Sequence, residues 1–122
     1  MVPNMDERAL VLADTSGVVR TWNAGAEALF GHAAEDAIGQ TLDLVVPPDY
    51  RERHWAGYRA AMAASDGTID HGSFNIPALH HDGTVMRITV RLHVIHDSRN
   101  RATGALAVLS PDDDSAPPLP RL

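Results

Sequence analysis

Five antiparallel strands, two before and three after a run of short helices and one longer helix, form the α+β architecture that this sequence predicts. Three observations point to it. The segment Thr84 to Ile95 alternates Met86, Ile88, Val90, Leu92 and Val94 with Arg87, Thr89, Arg91 and His93, the period of a strand with one dry and one wet face. Ala9 to Asp14 and Val18 to Asn23 flank a Thr15-Ser16-Gly17 turn, and Asp49 to Ala64, between the two strand groups, has helical spacing. With 122 residues, 44% hydrophobic and 21% charged, the chain holds one core and is too apolar to be wholly disordered.

The elements follow in order. Ala9 to Asp14 (ALVLAD) is short and rich in branched apolar residues, and Gly17 lets the chain turn into the second strand. In Ala24 to Gly31 alanine and leucine dominate, Asn23 is placed to cap the start and Gly31 to stop it, so a two-turn helix is expected. Ala33 to Ile38 reads as a second short helix ending at Gly39, and Thr41 to Val46 leads to Pro47-Pro48, which a helix interior excludes. Pro48 suits the first turn of the long helix, with Asp49 near the positive end of its dipole. On that helix His54, Tyr58, Ala61 and Met62 share one face, Arg51, Glu52, Arg59 and Asp66 are assigned to water, and Ser65-Asp66-Gly67 ends it. Gly72 to His80, Thr84 to Ile95 and Arg101 to Leu109 then read as strands, separated by His81-Asp82-Gly83 and Asp97 to Asn100. Residues 9–110 are the expected domain, with 1–8 as a lead and the Pro- and Asp-rich 111–122 as a disordered tail.

Composition excludes whole classes of function. The absence of cysteine removes disulfides, thiolate metal sites, cysteine nucleophiles and cysteine-linked chromophores. Ten basic residues, all arginine, against sixteen acidic ones give a net charge of −6, a poor balance for nucleic acid. Without lysine there is no Schiff base and no phosphate-loop lysine. No apolar run reaches membrane-spanning length and Met1 to Arg8 lacks the pattern of an export signal, so a cytoplasmic protein is expected.

Several fragments together carry a family resemblance: Asp14 to Asn23 (DTSGVVRTWN), Ala26 to Gly31 (AEALFG), Ile38-Gly39-Gln40, Pro47 to His54 and His81 to Thr84 (HDGT). In order and spacing over residues 9 to 109 the chain resembles a PAS domain, the small sensory fold of signalling proteins. In that fold Trp22 and Phe30 are expected to fill the space between sheet and helices. A non-covalent flavin flanked by Trp22 is one conceivable ligand, with core packing the plainer role for that residue.

The stretch Pro47-Pro-Asp-Tyr-Arg-Glu-Arg-His54 is similar to the helix of the rhizobial oxygen-sensing kinases, whose bacterial PAS domains bind heme through an axial histidine. The resemblance implies heme b, with His54 on its iron, Tyr58 and Met62 beside it, and Phe74, Ile88, Val90 and Leu92 as a dry wall for porphyrin and diatomic gas. Arg51, Arg53 or Arg59 would meet a propionate. Where those kinases carry an arginine that donates to bound oxygen, this chain has Phe74, so the distal side is expected to be apolar. Arg-x-His strings also occur on this helix in PAS domains without a cofactor, where the histidine is half-buried and bonded to backbone or water. Of the other histidines, His80-His81 and His93 and His96 read as solvated turn or strand-end residues, and His32 and His71 as isolated.

No kinase, cyclase, phosphate-loop or nucleophile-elbow motif is present, so catalysis by the polypeptide has little support. Three functions remain. The first is a sensor that takes a small ligand, heme included, between sheet and long helix and signals to another protein. The second is a ligand-free interaction module that docks or homodimerises through the outer sheet face of Arg87, Thr89, Arg91 and His93. A heme-dependent enzyme is the third.

Overall fold

The computed structural model describes residues 8–63 and 73–111. Five strands, β1 (Ala9–Asp14), β2 (Val19–Trp22), β3 (Ser73–Leu79), β4 (Val85–His96) and β5 (Ala102–Pro111), form one antiparallel sheet in the order β2-β1-β5-β4-β3. Between β2 and β3 lie α1 (Ala24–Phe30), α2 (Ala34–Ala37), two 3₁₀ turns at 42–44 and 48–50, and α3 (Arg51–Ala63). The expected two-three split is therefore present, and β5 joins the halves by pairing with β1 on one side and β4 on the other.

Register assigns the faces. Ala9, Val11 and Ala13 of β1 stand opposite Leu109, Ala107 and Ala105 of β5, and these oppose Val90, Leu92 and Val94 of β4. Since alternate residues share a face, this set, with Phe74, Ile76 and Ala78 of β3, forms the inner side. Phe30, Ile88, Val19 and Val90 are its most completely buried large side chains. The Trp22 and Phe30 rings pack at 5.4 Å between sheet and helices, as expected for both.

β4 departs from its alternation at two places. Thr89, expected on the wet face, is buried because Asn75 and Ser110 flank it on the neighbouring strands, and its hydroxyl donates to Asn75 Oδ1 at 2.9 Å. Leu92, expected on the dry wall, is 40% exposed. Among the described residues the last β3–β4 pair is Ser73–Arg91, and Leu92 follows it on β4, opposite Ala107 of β5. β5 also runs two residues beyond the expected Leu109, with Ser110 and Pro111 paired to Thr89 and Ile88. Ala64, Ser65, Asp66 and Gly67, His71 and the tail from residue 112 lie outside the described residues.

Helix boundaries follow their caps. Asn23 Oδ1 accepts the Ala26 N–H at 2.9 Å and also the Leu10 N–H at 2.8 Å, while its amide donates to the Arg8 carbonyl at 2.7 Å. One side chain thus starts α1 and braces β1 against it. Gly31 ends α1 in the left-handed region, φ +82°. Pro48 opens a 3₁₀ turn, so α3 proper begins at Arg51, two residues after the expected Asp49. We predict that Asn23→Ala, which removes a cap and strands the Leu10 N–H, costs about 2 kcal/mol in urea unfolding. A midpoint unchanged from the parent chain contradicts this account.

Candidate functional site

α3 has little apolar surface with which to dock: none of its thirteen residues is buried. Polar and aromatic contacts from its first two turns hold it instead. Arg51, expected to face water, turns inward and donates from Nε to the Val46 carbonyl at 3.0 Å and from Nη2 to the Asp43 carbonyl at 3.2 Å. One turn on, the Trp55 indole N–H donates to Asp43 Oδ1 at 2.7 Å. The Trp55 ring lies over Gly17 so closely that a Cβ there would stand 2.2 Å from two ring carbons. Gly17 is also at φ +78°, so both turn and helix require glycine at this position. Tyr58 completes the row by donating its hydroxyl to the Asp14 carbonyl.

Asp14 itself shapes the β1–β2 turn. Its carboxylate accepts the N–H groups of Ser16 and Val18 and pairs with Arg20 at 2.8 Å, and its carbonyl accepts the Gly17 N–H. The Val18 bond is the largest of the influences that hold its carboxyl below the ordinary aspartate range.

His54 sits within this cluster, edge-on to Trp55 at 4.8 Å and 5.9 Å from the Tyr58 ring. Its Nδ1 is shut off from solvent and has no hydrogen-bond partner. Burial lowers its pKa, against the opposing pull of the Asp43 carboxylate, so the imidazole is mostly neutral at pH 7. Burial first, and then the Asp14 charge, pushes the Tyr58 phenol up to about 12.

The sequence-predicted site residues fall into two groups. His54, Tyr58 and Met62 share the less exposed side of α3, together with Trp55. Phe74, Ile88 and Val90 lie on the inner sheet face at 6%, 1% and 2% exposure, with Phe74 and Val90 paired in register. The second group belongs to the same packed cluster as Trp22 and Phe30, and Leu92 stays outside it. α3 approaches the sheet chiefly along β5, where Ala105 and Ala107 face inward, rather than along β3 and β4. Of the three arginines considered for a propionate, Arg51 is engaged as described, Arg53 lies over the Tyr50 ring at 5.8 Å, and Arg59 is exposed.

Sequence reasoning missed Asp43 and Trp55, whose roles depend on partners eight or more residues away along the chain. It also misread His32, which is not isolated: its ring meets His81 edge-on at 4.8 Å. His80 and His81 do flank the β3–β4 turn, but His80 is half-buried with its Nδ1 3.1 Å from Asp82. His96 lies across a register shift from Ile95, and its Nε2 is buried without a partner. Among the described residues no group of three or more His, Asp or Glu side chains is placed to hold a metal ion.

A family model described as the PAS fold matches residues 7–111. The chain belongs to the PAS family. A solved PAS domain from Colwellia psychrerythraea superposes with a TM-score of 0.72 at 27% identity, covering 87% of this chain and 86% of that one. A protein of Azorhizobium caulinodans, described only as uncharacterized, is 33% identical over 88 residues, 70% of this PAS chain and 12% of that protein. Two-component system protein A of Emericella nidulans is 29% identical over 70 residues, 57% of this chain and 10% of its own length. The PAS domain therefore spans about a tenth of each of these two relatives. No described helix is long and apolar enough to cross a membrane.

The raised Tyr58 pKa sets an alkaline limit. The folded state keeps this proton to about 12, against 10.0 for the free side chain, so its contribution is intact below pH 10 and is lost as pH rises through 12. We predict that Tyr58→Phe costs about 1 kcal/mol at neutral pH and flattens the loss of stability above pH 10. An alkaline profile identical to the parent's counts against the Tyr58–Asp14 bond.

Proposed function

We propose that this PAS domain is a sensory module that receives a small ligand beside α3, with His54 as the residue that meets it. The observation that carries this reading is the buried, unpartnered Nδ1 of His54. A polar atom withdrawn from water without a partner costs stability, and a ligand atom that bonds to it recovers that cost. Signal then leaves through α3, since its ties to Asp14, Gly17 and Asp43 are few and lie beside the same histidine. A separate signalling protein or domain is the receiver.

Heme b is the specific ligand we propose for this position. A mostly neutral imidazole in a half-buried place would suit a ligand to iron, and the inner sheet face would supply an apolar wall. Phe74, Ile88 and Val90 are packed with Trp22, Phe30 and the 42–45 segment as they stand, so a macrocycle reaching from His54 to this wall would require that packing to open. Bound heme would supply the response to a diatomic gas or to redox state, and peroxide chemistry. His54 would hold the iron, while Tyr58 and Trp55 keep α3 on the turn.

Addition of hemin to the purified domain is expected to give an intense Soret band, which His54→Ala loses while circular dichroism stays unchanged. A spectrum equal to that of free hemin, or a band that survives the substitution, refutes heme ligation by His54.

A second reading, a ligand-free homodimerising module, is favoured by the outer sheet face. Leu10 and Leu12 of β1 pair with Val108 and Leu106 of β5 on that side, next to Arg91 and His93, and Ile95 is 38% exposed at its edge. Light scattering over a concentration series is expected to show a dimer that Ile95→Arg converts to monomer. A parent chain that is monomeric throughout dismisses this alternative.

A further inference from the structure

Three imidazoles converge at the end of α1, where the β3–β4 turn is seated on the helix. A Cβ at Gly31 would stand 2.7 Å from Cε1 and 2.9 Å from Nε2 of His80, and 3.1 Å from the Cβ of His81, so the turn occupies the space a side chain would need. One backbone bond fastens the seat, from the His81 N–H to the Phe30 carbonyl at 2.8 Å. The other fastening is His32, whose ring meets His81 at 4.8 Å and Trp22 at 6.1 Å, while the Trp22 indole N–H donates to the His32 carbonyl at 3.0 Å.

The charged and titratable groups around this contact come from three elements. On the turn, Asp82 stands 3.1 Å from His80 and accepts the N–H and hydroxyl of Thr84. On α2, the Asp36 carboxylate acts on His32 through its charge. On α1, Glu27 accepts the Ala34 N–H at 2.7 Å. β2 contributes the Trp22 ring, which brings no charge.

We propose that this seat is a proton-operated catch, in which protonation of His32 puts a charge against the His81 ring and detaches the β3–β4 turn from the end of α1. Burial, then His81 and His80, hold the His32 pKa below its ordinary 6.5, with Asp36 opposing. The folded contact therefore favours the neutral ring: it is intact above 6.5 and weakens as pH falls below it. The turn moves as a unit, because the His80 N–H bonds the Thr84 carbonyl and the Gly83 N–H bonds the His80 carbonyl. Its displacement reaches the segment before α3 through β3, whose Leu79 N–H donates to the Val45 carbonyl at 2.9 Å. The catch is independent of any ligand at His54.

Amide hydrogen exchange of the full chain, followed by NMR at about pH 7.5 and about pH 5.5, tests it. With intrinsic exchange rates removed, the protection of the His81 amide is expected to fall roughly fivefold at the lower pH, the scale of one charge placed at a screened contact. The Gly31 amide, bonded within α1 to Glu27, is expected to hold. His32→Gln and His81→Gln should each abolish the response at position 81. Protection equal at the two pH values overturns the proposal, as does an undiminished response in these variants. His81 is exposed, so His81→Gln decides the matter even where His32→Gln fails to fold.

Discussion

Asp14 stands at the end of β1 and serves two parts of the fold with different atoms. Its carboxylate gathers the N–H groups of Ser16 and Val18 and so fixes the β1–β2 turn, and its carbonyl takes the Tyr58 hydroxyl and so fixes α3. Because Asp14 also pairs with Gly104 of β5, the turn is in register with the strand along which α3 lies. Without this turn geometry Trp55 would lose its seat over Gly17, and the first two turns of α3 would keep only the loop carbonyls held by Arg51 and the Asp43 carboxylate.

The division of labour is physical. On the inner face, Trp22, Phe30, Val19 and Ile88 bury apolar surface, and side chains of this size contribute on the order of 2 kcal/mol each. α3 stays in place by directional bonds, each worth about 1 kcal/mol net, and by the Trp55 ring over Gly17, all outside the apolar cluster of the core. A sensory domain built this way keeps a stable frame and one element that a modest binding energy is able to move.

The frame was legible in the sequence and the environment of α3 was not, for one reason seen from two sides. Asn23, Gly31 and the alternation of β4 act through neighbours a few residues away or through a fixed period, so local chemistry predicts them. Arg51 and Trp55 act on carbonyls and a carboxylate that only the folded chain brings near, and an exposed-looking arginine gives no hint of them. His32 and His81 are likewise 49 positions apart and meet only because the β3–β4 turn folds back on α1. Thr89 and Leu92 show the limit of periodicity itself: it assigns a face, but neighbouring strands decide how much of that face is covered.

An element that buries none of its residues also has an uneven share of the protein's stability. Ordering thirteen residues opposes folding by roughly 1 kcal/mol or more for each, and α3 offsets this with a half-buried side and no fully buried side chain. A state with α3 frayed and the five strands intact therefore lies well below global unfolding on the free-energy scale. At equilibrium some molecules always occupy it, with the alanines of β5 laid bare, and any partner that prefers that surface binds by drawing on a population that already exists.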